Sequence, residues 1–479
     1  MSHKSLAVSG IKWSFLSQGS RQVMQLVTTV VLARLLKPSD FGLLGMATIV
    51  TGFIMLFRDL GTTSAIIQKK NASDNLLSSV YWVNVGFGLI AAVILYLLSP
   101  LVAEFYHEPE VDPVLKVLST TMFISGISSL HQAMLERDLA FNKLARLEIV
   151  STLTGSVVGI GAAILGYGVW SLVYQTLALT LVTTVLLWAA RPWRPRWVFN
   201  VPEIRSVFRY SINLVGFSIF NYFVRNADYL LIGRFLGAQD LGYYTLAYRI
   251  MLYPLQSISA IIGRVMFPLY SQLQDAPERF CRAYLKVVSA IALVTFPMML
   301  GLLAISRPFI TAMFGAQWSP AILLLIILAP VGMVQSISTT VGAIYKATGR
   351  TDWLFRWGIA SGILYTLAFV IGIRWGIIGV AVAYAMSETI MSYPAFVIPF
   401  KLIGLTMKDL GRALMRPFAA SIVMFGMLMV LRWMMPGDWT DKVTVSAMVV
   451  SGVVLYSGLT WLINRDDLAN VLDTVGFKV

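Results

Sequence analysis

One cysteine and three histidines are all that this chain offers for disulfide or transition-metal chemistry. Cys281 has no second thiol to pair with, and His3, His107 and His131 are too far apart in sequence to match zinc-site spacing. No metal or other cofactor is therefore expected. Charge is scarce as well: 13% of the residues are Asp, Glu, Lys or Arg, where ordinary soluble domains carry about a quarter. There is no phosphate-cradling Walker loop, nucleophile elbow or HExxH helix, so neither ATP hydrolysis nor a familiar hydrolase is expected. The start of the chain lacks the small-residue cleavage site of a signal peptide, and its first apolar stretch reads as a retained span.

What fills the space is apolar: 57% of the residues are hydrophobic. About 20 such residues suffice to cross the hydrocarbon of a bilayer. Fourteen stretches qualify, beginning near Lys12, Phe41, Ser79, Val117, Leu147, Tyr167, Tyr210, Tyr243, Val287, Pro320, Leu354, Gly376, Ala413 and Val443. The first, seventh and eighth contain the most polar residues. The expected fold class is all-α, a polytopic membrane protein.

Lys and Arg outnumber Asp and Glu by 37 to 23, and their placement argues against a nucleic-acid partner. Basic residues crowd alternate connections, such as Arg137, Lys143 and Arg146, then Arg191 to Arg209, then Lys401 to Arg416. The intervening connections hold only eight of them, against 25 in the first set, and the first of any length (AEFYHEPEVD) is acidic. That acidic cluster, Glu104, Glu108, Glu110 and Asp112, reads as a solvated loop. A nucleic-acid module would gather its charge on one soluble face instead. By the positive-inside rule the asymmetry places both termini in the cytoplasm. Trp13, Trp82, Trp170, Trp188, Trp318, Trp353, Trp357, Trp375, Trp433 and Trp461 fall near span ends, where indoles favour the headgroup level.

A short signature occurs twice. Arg34, Leu36, Asp40 and Gly42 reappear two hundred positions later as Arg234, Leu236, Asp240 and Gly242. Each copy closes one apolar stretch and opens the next. Six spans separate the copies, so the halves are expected to be parallel repeats: residues 1–200 and 201–400 as six-helix bundles, with 401–479 adding two helices and a cytoplasmic tail. The basic, proline-containing stretch Arg191–Arg209 marks the boundary between halves. The Arg/Asp signature itself is expected to order the outer turns, with Gly42 and Gly242 permitting close packing.

Polar residues inside spans are costly and mark the candidate site. Ser14, Gln18, Arg21 and Gln25 share one face of the first span, and Ser218, Asn221, Arg225 and Asp228 share one face of the seventh. The two-hundred-residue offset sets Arg21 against Asn221 and Gln25 against Arg225. Gln18, Arg21, Gln25, Asn221 and Arg225 are accordingly the candidate substrate-binding residues, lining a cationic cavity between halves that suits a phosphate or diphosphate. Two bland readings stand beside this: Arg225 and Asp228 neutralise each other, and Arg21 bonds to neighbouring helices. Arg58 and Asp59 end the second span, Arg249 and Arg264 lie on the eighth, and Glu388 is nearly alone in the twelfth. Asp59, Asp228 and Glu388 are the candidates for ion coupling; for Asp59 and Glu388 the alternatives are a place near the membrane surface or pairing with arginine.

Several blocks carry a likeness to a known family: GIKWSFLSQGSRQVMQLVTTVVLARLLKPSDFGLLGMATIVTGFIMLFRDLGTTSAIIQKK at the start, LGYYTLAYRIMLYPLQSISAIIGRVMFPLYSQLQD in the second half, then FGAQWSPAILLLIILAP and YKATGRTDW. From about Gly10 to about Pro399 the chain resembles bacterial polysaccharide exporters of the Wzx flippase type, particularly the colanic acid exporter group. The resemblance implies fourteen helices, as in the multidrug/oligosaccharidyl-lipid/polysaccharide exporter superfamily. It implies transport of undecaprenyl-diphosphate-linked oligosaccharide across the inner membrane, with a polysaccharide polymerase and a chain-length regulator as pathway partners. Two alternatives are weighed against it. A multidrug cation antiporter would want a carboxylate-rich aromatic cavity, and a membrane-embedded polymerase or transferase would want a catalytic carboxylate on a sizeable outer loop.

Overall fold

The computed structural model describes residues 3–59, 66, 73–200, 219–273 and 276–463, with the side chains of 3–18, 57–59, 256–269, 271–272 and 463 outside that description. Among the described residues there is no strand. The helices in chain order are α1 (His3–Leu35), α2 (Pro38–Asp59), α3 (Asp74–Tyr106), α4 (Val111–Arg137), α5 (Phe141–Ile164), α6 (Val169–Ala190) and α7 (Ala227–Gln272), the last preceded by a helical turn at 219–225. They continue as α8 (Pro277–Met313), α9 (Pro320–Ser338), α10 (Val341–Ala347), α11 (Thr351–Gly372), α12 (Gly376–Ile403), α13 (Met407–Met434) and α14 (Asp441–Ile463). Ten stretches among these are long and apolar enough to cross a membrane, one of them running through the short break between α11 and α12. The chain is a multi-pass membrane protein. The first part of the seventh expected span, from Tyr210 to residue 218, lies outside the described residues.

Local chemistry sets the helix ends. Ser73 caps α3, its hydroxyl accepting the Leu76 amide at 3.1 Å. Thr406 and Asp409 form a reciprocal capping box at the start of α13. Both signature copies interrupt a helix. In the first, α1 ends at Leu35 and α2 restarts at Pro38; in the second, Gly237 at φ +86 breaks α7, a conformation that L side chains resist.

The chain divides into two compact units, Met1–Gly242 and Tyr243–Val479. Thus the chain from 219 to Gly242, expected to open the second half, groups with the first. In the first unit, α3 and α4 approach to backbone contact where Gly88 meets the carbonyl of Met122 and Gly126 meets that of Asn84. Small residues at helix crossings gain dispersion contacts that lipid tails would otherwise supply. The Arg191–Asn200 segment is pinned as well as connecting. Trp82 Nε1 donates to the Arg196 carbonyl at 2.9 Å, Trp82 stacks on Trp197 at 4.0 Å, and Arg191 pairs with Asp138 at 2.7 Å.

In the second unit, α13 and α14 pack against α8 through Ala304, Ile305, Ala312, Met424, Leu428, Val445 and Met448. Their outward residues, including Val430, Val453 and Val454, stay exposed, as lipid-facing positions should. Trp375, Trp433 and Trp461 are exposed near helix ends. Trp318 differs from the headgroup expectation: it is fully buried between α8 and α9, where the chain turns through Gly315 and its indole fills the corner.

Candidate functional site

The polar face of α1 meets a matching face of α5. Arg21 is half-buried, with its guanidinium 3.7 Å from the Glu148 carboxylate, and about two turns further on Thr28 donates to Ser156 at 2.7 Å. Seven residues separate Arg21 from Thr28, and eight separate Glu148 from Ser156, so both pairs lie along one helix seam. Glu148 was not among the sequence candidates. Its signal was present, an acid beside the start of the fifth span, but nothing in one sequence says which helix α5 will touch. Gln25 is exposed, whereas the side chain of Gln18 and that of Ser14 lie outside the described residues.

On the seventh-span segment, Asn221 and Arg225 are exposed. Between them Tyr222 anchors the segment to α2, its hydroxyl donating to the Ile49 carbonyl at 2.7 Å, while Phe223 packs on Phe53 at 4.8 Å. Asp228 is buried, and its carboxylate accepts the Tyr229 amide at 2.9 Å. Arg225 and Asp228 form no ion pair, so the mutual neutralisation suggested by their spacing does not occur. Arg225 has no acidic partner among the described residues. Ser218 lies outside them, as do the side chains of Arg58, Asp59 and Arg264; Arg249 is exposed.

The two signature copies touch each other. A Cβ on Gly42 would overlap the Ala238 carbonyl, and a Cβ on Gly242 would overlap the Pro38 carbonyl. Pro38 and Ala238, like Gly42 and Gly242, are two hundred positions apart, so the contact is a local pseudo-twofold one. Lys37 donates its amide to the Asp40 carboxylate at 2.8 Å. Asp240 has no such bond among the described residues, and burial pushes its carboxyl above the ordinary value.

The loop expected to be solvated contributes to this contact. Glu104 and Glu110 are exposed, but Glu108 accepts the Ala238 amide at 3.2 Å, His107 meets the Arg234 guanidinium, and Tyr106 covers Gly233. Asp112 pairs with Lys116 at 2.9 Å and accepts from Ser99 at 2.6 Å. The reading of the loop as free in solvent is therefore corrected at Glu108 and Asp112. The correction has a simple cause: the loop shares the signature end of the unit, and the Ala238 amide next to the Gly237 break needs an acceptor.

In the second unit Glu388 lies on α12, 7% exposed. Tyr365 of α11 donates to one carboxylate oxygen at 2.5 Å and Ser338 of α9 approaches the other at 3.5 Å. Neither a membrane-surface position nor an arginine partner describes it. An apolar groove of about 750 Å³ runs between α13 and α14, lined by residues such as Met427, Val430 and Val454.

Residues 31–323 match the family described as "Polysaccharide biosynthesis protein". The chain is 31% identical to the teichuronic acid biosynthesis protein TuaB of Bacillus subtilis, over 88% of each chain. It is 30% identical to the lipopolysaccharide biosynthesis protein WzxC of Escherichia coli, over 88% of this chain and 87% of that one. Among solved structures, the fold matches the lipid II flippase MurJ in an inward closed conformation with a TM-score of 0.76 at 15% identity, covering 95% of this chain and 99% of that one. An inward-facing multidrug resistance MATE family transporter matches with a TM-score of 0.65 at 16% identity, over 80% of this chain and 94% of that one.

Proposed function

This chain belongs to the polysaccharide biosynthesis protein family, and we propose that it is a flippase that carries undecaprenyl-diphosphate-linked oligosaccharide across the bacterial inner membrane, both termini being cytoplasmic. The observation that carries the chemical side of this reading is the exposed guanidinium of Arg225, without an acidic partner among the described residues and flanked by exposed Asn221. An unneutralised cation on a membrane-embedded segment is costly unless water or an anion solvates it. A diphosphate fits that requirement through forked hydrogen bonds. Gln25 and the one-third-exposed Arg21 offer further polar groups on α1, and Gln18 would continue them.

A hydrophilic glycan cannot cross hydrocarbon unaided, so a sheltered polar path must carry the headgroup while the prenyl tail remains in lipid. Alternating access then requires a contact that opens at one end. The paired Gly42/Ala238 and Gly242/Pro38 approach suits this task, because backbone surfaces without side chains close tightly and part without breaking buried ion pairs. A polysaccharide polymerase and a chain-length regulator would receive the exported unit. Among the ion-coupling candidates, Asp228 is already committed to the Tyr229 amide, which favours Glu388.

The decisive experiment reconstitutes the full chain in vesicles with fluorescent undecaprenyl-diphosphate-linked oligosaccharide and follows its appearance in the opposite leaflet. Wild type moves the lipid and Arg225→Ala moves it at least about tenfold more slowly, a difference of about 1.4 kcal/mol. Equal rates for wild type, Arg21→Ala and Arg225→Ala, at equal expression, would remove the cationic site from the mechanism.

A further inference from the structure

Glu388 occupies the middle of a helix that spans the membrane. At 1.5 Å per residue it stands about 18 Å from the start of α12 and about 22 Å from its end. It is 7% exposed. Its oxygens meet two hydroxyls from two other helices, Tyr365 at 2.5 Å and Ser338 at 3.5 Å. One turn earlier on the same face of α12, buried Tyr384 packs 5.9 Å from the Tyr365 ring and 6.1 Å from that of Tyr248 on α7, and Phe369 closes on it at 5.8 Å.

Among the described residues, no charged side chain on the helices packed against α12 pairs with Glu388: Arg249 on α7, Glu278, Arg279, Arg282, Lys286 and Arg307 on α8, Lys346 on α10, and Asp352 and Arg356 on α11 are all exposed. The described part of α9 offers Ser338 and no charge. An ionised carboxylate at this depth, held by two hydroxyls and no cation, is unfavourable. Neutralisation by a proton removes that penalty and keeps both hydrogen bonds, since a protonated carboxyl and a tyrosine each donate and accept.

From this geometry we infer that Glu388, with Tyr365 and Ser338 as its hydrogen-bond partners, is a reversible proton-binding site of the second unit, whose occupancy changes as α11 and α12 move during transport. The carboxylate takes a proton from water when these helices part and returns it to water on the other side of the cycle. A metal cation fits less well. The groups around the carboxyl are hydroxyl donors aimed at it, not a shell of free carbonyls. The link to transport rests on the flippase reading above; proton binding itself does not.

Two measurements on the full chain in vesicles test the site separately from that reading. In infrared difference spectra recorded across a pH titration, wild type gives a protonated-carboxyl C=O band that is lost in Glu388→Gln and displaced in Tyr365→Phe. Superimposable spectra for wild type and Glu388→Gln would overturn the proposal. Should Glu388→Gln not fold, an unchanged band in Tyr365→Phe would overturn it equally. In the fluorescent-lipid assay, an imposed pH gradient accelerates wild type and leaves Glu388→Gln unaffected. Equal acceleration of both, or acceleration of wild type by a sodium gradient alone at uniform pH, would overturn proton coupling. If wild type moves no lipid while the infrared band behaves as expected, the flippase reading falls and the proton site stands.

Discussion

Gly42 lies against the carbonyl group of Ala238 so closely that no side chain fits between them, and two hundred residues on Gly242 repeats the contact with Pro38. A duplicated sequence element has become a symmetric seam in the first unit. The seam is made of backbone on backbone, so adding one methyl group on either side is the sharpest perturbation available.

Gly42→Ala and Gly242→Ala are each expected to open this seam. Overpacking typically costs about 1–3 kcal/mol. In a Cys281→Ser background, Ala238→Cys, buried in the parent, should react several-fold faster with a polar maleimide when either alanine is added. Unchanged labelling would mean that the seam relaxes without parting.

The Arg21–Glu148 pair should contribute little to stability. Both side chains are about one-third exposed at a separation of 3.7 Å, and exposed pairs contribute about 0–1 kcal/mol. Glu148→Gln is therefore expected to leave the thermal midpoint in detergent almost unchanged. Arg21→Ala should slow lipid movement whether or not Glu148 is present; rescue by the double Arg21→Ala/Glu148→Ala variant would assign Arg21 a purely structural task.

Glu108 provides the acceptor for a buried backbone amide. Glu108→Ala leaves the Ala238 N–H without its carboxylate partner, a loss of about 1–3 kcal/mol for a buried donor. Faster hydrogen exchange at Ala238 is the expected readout. Glu108→Gln retains an oxygen acceptor and should preserve most of the protection.

The Arg191–Asn200 segment should be released by Trp82→Ala, which removes both the indole bond to the Arg196 carbonyl and the stack with Trp197. Limited trypsin digestion after Arg196 should become markedly faster. Cleavage at the wild-type rate would show that the bonds from the Arg196 and Asn200 amides to Ser78 and Ser79 hold the segment unaided.

Much of the architecture was legible because hydrophobic length is a local property. Apolar runs near Ser79, Val117, Leu147 and Tyr167 became α3 to α6, and the apolar chain after Val443 became α14. The doubled signature was legible as a pair of helix breaks for the same reason: proline in one copy and glycine in the other act on their own backbone. Arg21, Arg225 and Glu388 stood out because charge is rare in such a chain.

Partnership was another matter. Arg225 and Asp228, three apart, looked like natural partners and are not; Arg21 and Glu148, 127 positions apart in sequence, are paired. Glu388 looked isolated along the chain, yet α9 and α11 bring Ser338 and Tyr365 to it. By itself the sequence determined that the chain is helical, membrane-spanning, internally repeated and poor in charge, since composition and spacing control burial in lipid and backbone breaks one helix at a time. Only the tertiary structure decided which helices meet, and with them the counter-charge of Arg21, the seam of Gly42 and Gly242, and the hydroxyl partners of Glu388. Those depend on close packing between segments far apart in the chain, where tenths of an ångström and the absence of a side chain decide the contact.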